Sequence, residues 1–291
     1  MRLALLTLTF FLSLPQLAGS QSDYRPGRTG FRLHGPVRAV KEEHYNLHED
    51  GDGIFTGNLT LRFDERGRLV ESLQGNRQVE DLYGMRYSYR PDGRLAGAER
   101  FSGGSVGSRD VYVYDDARRR VEVLTYLTGG DLRMRVTKAY DERGGELRSE
   151  TEFLPGDDTT APARQVVETA HTYDERGRPL TTTVKGPDGR PMVVIGYGRD
   201  AAGLLITTTT DLRKEAQSSM AKTVRKHDAA GNETAAESYA ADGTLTARIS
   251  YERKFDARGN WVEEITRTWE GRAPDAPRGS AFLRRRTITY F

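Results

Sequence analysis

A serine, a pair of histidines and two tryptophans have the residue types and spacing that invite chemistry in this chain. Gly103-Gly104-Ser105-Val106-Gly107 matches the G-x-S-x-G pattern, in which a strained strand-to-helix turn presents a nucleophilic serine. That chemistry needs a helix after the serine, and an Asp and a His to activate it. Here the residues that follow alternate as Val111, Tyr112, Val113 and Tyr114, so the segment reads as a hairpin turn leading into a strand. His44 and His48, with Asp50 and Asp52 after them, raise a metal site. At strand period His44, Asn46 and His48 share one face, but the two histidines then stand about 13 Å apart, beyond the reach of one ion. Asp50-Gly51-Asp52-Gly53 lacks the further oxygen ligands of a calcium loop and reads as a turn. Arg118-Arg119-Arg120 and Arg284-Arg285-Arg286 have the charge to meet anionic lipid or glycan. As strand residues they are more simply explained by pairing with Glu and Asp on the neighbouring strand. Trp261 and Trp269 serve either as core or as platforms for a sugar ring.

No catalytic, cofactor-binding or metal-binding residue is assigned from these patterns, and the expectation is that the chain is not an enzyme. A small envelope hydrolase using Ser105 or the His44/His48 pair is the catalytic alternative.

The elements that must position these residues come from a repeat. Phe63-Asp-Glu-Arg-Gly-Arg-Leu69 recurs as related segments at Tyr89, Tyr114, Tyr140, Tyr173, Arg199, His227 and Phe255, at intervals of 25 to 33 residues. Asp, two tolerant residues and then Gly is a type I turn whose next residue has positive φ, the common longer hairpin loop. Arg118 takes the glycine position in one copy, and His227 takes the aromatic position in another, with His171 close to a third. Gly75-Asn76, Gly103-Gly104, Gly129-Gly130, Pro155-Gly156, Pro187-Asp188-Gly189 and Asp242-Gly243 mark turns at the opposite end. Between turns the residues are Tyr, Val, Thr, Ile and Arg, often at period two. The expected fold is all-β: an antiparallel meander of tandem hairpins with about 17 strands, in one strongly twisted or curled sheet that can form a partial shell.

Residues 1–20 have the form of a secretory signal peptide, with Arg2, an apolar run from Leu3 to Leu14, and small residues at Ala18 and Ser20 before a cut at Gln21. Residues 21–36 read as a flexible lead-in and 37–291 as the repeat domain. There is no Cys, which excludes disulfides and fits a bacterial periplasmic or extracellular protein. A formal net charge of only +2 argues against a nucleic-acid partner. The apolar run is too short for a helical membrane span, and no cofactor is expected.

The Tyr-Asp-Xaa-Xaa-Gly-Arg segments, Gly259-Asn260-Trp261 and the ending Arg286-Thr287-Ile288-Thr289-Tyr290 resemble the YD-repeat (RHS-repeat) proteins of bacteria, over roughly residues 55–291. The resemblance implies a β-shell architecture, no catalytic residues, and an exported binding or scaffold surface for carbohydrate or an envelope protein. In large members such a shell encloses a toxin, which makes a fragment of an encapsulating shell a further alternative. This chain departs from the pattern at Arg118, Arg199 and His227, and in having no passenger after the repeats.

Overall fold

The computed structural model describes residues 31–48, 52–77, 83–154, 165–214, 217–270 and 279–291. Eighteen strands follow one another: β1 (Val37–Leu47), β2 (Gly53–Phe63), β3 (Leu69–Asn76), β4 (Tyr83–Tyr89), β5 (Leu95–Ser102), β6 (Ser105–Asp115), β7 (Arg120–Leu127), β8 (Leu132–Tyr140) and β9 (Glu146–Phe153); then β10 (Gln165–Tyr173), β11 (Pro179–Lys185), β12 (Pro191–Arg199), β13 (Leu205–Lys214), β14 (Gln217–His227), β15 (Glu233–Ala240), β16 (Leu245–Phe255), β17 (Trp261–Glu270) and β18 (Ala281–Tyr290). Each pairs antiparallel with the next, and β18 returns to pair with β1 over Val37↔Tyr290 to Leu47↔Ala281. The all-β meander is as expected, but the sheet is a closed barrel rather than an open curled sheet or a partial shell. Closure leaves no edge strand with unpaired backbone groups.

The repeat turns form one end of the barrel. At the first, Gly67 donates to the Asp64 carbonyl (2.8 Å), the Asp64 amide to Arg68 O (2.9 Å), and the Arg68 amide to Asp64 Oδ1 (2.9 Å). The aspartate therefore satisfies an amide that the hairpin leaves over. Gly177 and Gly203 sit at φ +73° and +89°, in the left-handed region that excludes β-branched residues. The copy without glycine differs from the sequence reading. Positive φ falls on Arg119 (+50°), not Arg118, because β6 runs one residue further and the turn becomes Asp116 to Arg119. Gly75-Asn76 likewise ends β3 rather than forming a turn.

Three of the repeats also fasten to the one before them by a tyrosine. Tyr89, Tyr114 and Tyr173 donate their hydroxyls to the carbonyls of Leu69 (2.6 Å), Leu95 (3.0 Å) and Glu146 (2.6 Å), in each case two residues past the preceding turn glycine. The turn arginine then covers the ring: Arg68 lies 4.5 Å from the Tyr89 centroid and Arg94 4.3 Å from that of Tyr114.

In a closed barrel side chains alternate between inner and outer faces, and converging neighbours bury the inner ones more. On β16 the inner residues Ala247, Ile249, Tyr251 and Arg253 are half-buried, while Arg248, Glu252 and Lys254 are exposed. Followed round the ladder, the outer face is a lattice of charge. Arg62 and Arg86 flank Glu71, Arg148 and Lys185 flank Glu168, Lys226 and Arg248 flank Glu237, and Lys254 and Arg285 flank Glu263. The inner face is richer in Thr, Tyr and Val, including Thr125, Thr151, Thr182, Thr208, Thr223 and Thr266. Eighteen strands make a barrel about 35 Å across, wide enough to hold water.

The tightest apolar packing sits at the turn end beside β1, where Leu33, Val37, Val40, Leu61, Phe63 and Leu69 cluster. From the described part of the lead-in, residues 31–36, Leu33 belongs to it and Phe31 packs against it. Phe31 stands edge-on to Phe63 at 6.0 Å, and His34 exchanges backbone hydrogen bonds with the Asn260 amide (2.6 and 2.9 Å).

Candidate functional site

Where the chain's two terminal strands meet, the inner wall carries a ladder of buried charge. Arg253 on β16 bonds Glu264 on β17 (2.6 Å), Glu264 bonds Arg284 on β18, and Arg284 lies 3.5 Å from Glu42 on β1. Glu42 also takes Arg286 (2.7 Å) and His44 (2.8 Å). Glu264 and Glu42 are 1% and 2% exposed, so each carboxylate survives only because guanidinium groups replace its lost water. Burial pulls the Glu42 carboxyl upward, but the bond from His44 and the charges of Arg286 and Arg284 outweigh it and hold it at about 2. Trp261 is the floor of this ladder, with Arg286 3.3 Å and Arg284 5.1 Å from its ring centroid. Below it the Asn260 amide donates to the Tyr290 hydroxyl (2.8 Å), which donates to Asp256 (2.5 Å). The two C-terminal motifs read in the sequence thus meet in space.

Two hollows open on the same wall. One of about 330 Å³ lies between His44, Asn46, Thr56, Thr266, Phe282 and Arg284. The other, about 250 Å³, runs on past Asn58, Leu59 and Gln74, sharing His44 and Thr56.

Nine strands away, on the opposite wall, the polar groups form a chain with less charge. Lys138 bonds Glu146 (2.8 Å), whose other oxygen is 3.8 Å from His171 Nε2. His171 Nδ1 meets the Thr182 hydroxyl at 3.0 Å, and that hydroxyl lies 3.3 Å from Tyr197. Burial lowers the His171 pKa, Glu146 opposes, and Lys138 adds to the lowering.

The residues singled out in the sequence are scattered by this fold. Ser105 is exposed beside the Gly103-Gly104 hairpin, and no histidine lies on β5, β6 or β7, so its own and the adjoining strands offer it no histidine base. His44 is committed to Glu42, while His48 lies past the end of β1 with its amide on Asp52 O (2.8 Å). Asp50 and Gly51 lie outside the described residues, and among the described residues no cluster of three metal-ligating side chains exists. The Arg284-Arg285-Arg286 run is paired throughout, two residues inward and Arg285 outward to Glu263. Sequence reading missed Glu42 and Glu264. The signal was there in the doublets Glu42-Glu43 and Glu263-Glu264, whose inward and outward members match those of the arginine triplet.

No family model matches the chain, and no curated protein does. Among solved structures it is similar to a porin-like protein from Bacteroides uniformis, at 10% identity and a TM-score of 0.48, over 88% of this chain and 99% of that one. A porin-like protein from Bacteroides vulgatus gives 10% identity and 0.40, over 86% and 97%. TcdB2-TccC3-TEV gives 10% and 0.33, over 79% of this chain and 15% of that one. These likenesses concern strand arrangement, and any function has to be argued from the wall residues. Among the described residues no helix is long and apolar enough to cross a membrane.

Proposed function

We propose that this chain is a non-catalytic, exported bacterial protein of the YD-repeat type. In this reading it is a hollow barrel that works in water, in the periplasm or outside the cell, and binds a polar partner such as carbohydrate or an envelope protein. The observation that carries the reading is the division of side chains between the two faces. A lipid-facing barrel wall needs an apolar band, and each Arg or Lys at mid-membrane costs about 2–4 kcal/mol. Here the outer face carries Arg62, Arg86, Arg148, Lys185, Arg248, Lys254 and Arg285 with their carboxylate partners. The inner face offers hydroxyls and aromatic rings, which suit a hydroxylated ligand.

The test is a binding screen of the exported protein against cell-wall fractions and purified glycans, read by tryptophan fluorescence, with detergent partitioning alongside. Saturable binding by a protein that stays in the aqueous phase is the expected result. Partition into detergent, or no binding by any fraction, would overturn the reading.

A further inference from the structure

The two hollows beside His44 have a chemistry of their own. On this stretch of inner wall four guanidinium groups (Arg225, Arg253, Arg284, Arg286) face three carboxylates (Glu233, Glu264, Glu42), so one positive charge is left over. Burial draws Arg286 below its usual pKa against the pull of Glu42, and the like charge of Arg284 adds to that lowering. Arg284, at the edge of the larger hollow, keeps 38% of its side chain exposed and can take a further acceptor.

An acceptor stands nearby. The neutral His44 ring that donates through Nε2 to Glu42 at 2.8 Å presents Nδ1 as an acceptor. The Phe282 ring, 39% exposed, closes the larger hollow with an apolar face.

We propose that the paired hollows are one subsite for a polyhydroxylated cyclic carboxylate, a sugar acid in form. Its carboxylate meets Arg284, a hydroxyl donates to His44 Nδ1, and its ring face lies on Phe282. This deepens the wall-binding reading and rests on it. A carboxylate–guanidinium bond supplies the strongest single contact, and it separates sugar acids from neutral sugars.

The experiment is calorimetric titration of the full chain with glucuronate, glucose and cyclohexanecarboxylate at low salt. Glucuronate should bind at least about tenfold more tightly than either of the others. Phe282→Ala, at a partly exposed position that bonds none of the buried carboxylates, should weaken glucuronate several-fold while leaving the melting temperature in place, whereas His44→Ala should weaken it and also lower the melting temperature, because it takes a bond from Glu42. Glucose matching glucuronate would remove the carboxylate, and cyclohexanecarboxylate matching it would remove the hydroxyl contacts; either overturns the subsite. Wall fractions that bind while all three probes fail would overturn the subsite and leave the wall-binding reading standing. Failure of fractions and probes together would overturn both.

Discussion

The closing seam (β16–β18 with β1 and β2) and the wall facing it (β8–β12) are built from the same strand geometry but held by different forces. At the seam, carboxylates that are almost fully buried are held between guanidinium groups, with a tryptophan beneath and an apolar cluster at the turn end. On the facing wall, one histidine, one threonine and one tyrosine pass a hydrogen bond along between half-buried strands. The facing wall joins strands adjacent in sequence, whose turns hold them together at little entropic cost. The seam joins β1 to β18 across the length of the chain, with no turn to help, so the contacts themselves must overcome the loop-closure entropy. The difference teaches that in a repeat barrel, specificity of closure is invested at the one junction the repeat does not cover.

The sharpest way to break this comparison is to remove one buried polar group from each wall. Glu264→Ala strands Arg253 and Arg284 in the seam and should cost about 3–5 kcal/mol. Thr182→Val deletes a hydroxyl from the facing wall and should cost about 1–2 kcal/mol. Urea melts of both give the ratio, and equal losses would dissolve the distinction.

Acid should separate the walls as well. His171 and Glu42 both have folded pKa values below their unfolded ones, so each contributes stability that is present above the unfolded value and lost as pH falls through the folded value. For His171 the loss begins near 6.5, and for Glu42 near 4.5, running down to about 2. Urea midpoints against pH should therefore fall in two steps. His171→Gln should abolish the first step, and Glu42→Gln should flatten the second.

Smaller effects test the turns common to both walls. Gly177→Val forces a β-branched residue to φ +73° and should cost roughly 1–2 kcal/mol, seen as a lower melting temperature. Arg119→Gly relieves the φ of +50° that this turn already bears and should stabilise by up to about 1 kcal/mol. The same change at Arg118 should not stabilise.

Strands and repeat turns were legible because their determinants are local. An aspartate, a glycine three residues on and period-two alternation declare a hairpin with no reference to the rest of the chain. The register at Arg118 and Arg119 was not, because two arginines compete for one position and only the pairing of Asp115 with Arg120 decides between them. The eighteenth strand was hidden where β13 passes to β14 through Glu215-Ala216, with neither Gly nor Pro to mark a turn. The partner that the last strand meets was illegible for a different reason: Glu42 and Arg286 are 244 residues apart, and nothing in either segment alone names the other. The binding hollows share that property, since His44, Thr266 and Arg284 come together only once the ring is shut.

The tyrosine that reaches back to the carbonyl beyond the previous turn has a consequence for how such a vessel changes size. Each repeat that carries such a tyrosine is a pair of staves pegged to the pair before it, and the hoop is drawn tight where the terminal strands meet. Duplicating or losing one pair therefore leaves every peg intact and alters the girth by two strands, or about 4 Å in diameter. Calibre can drift in even steps while the lock stays the same.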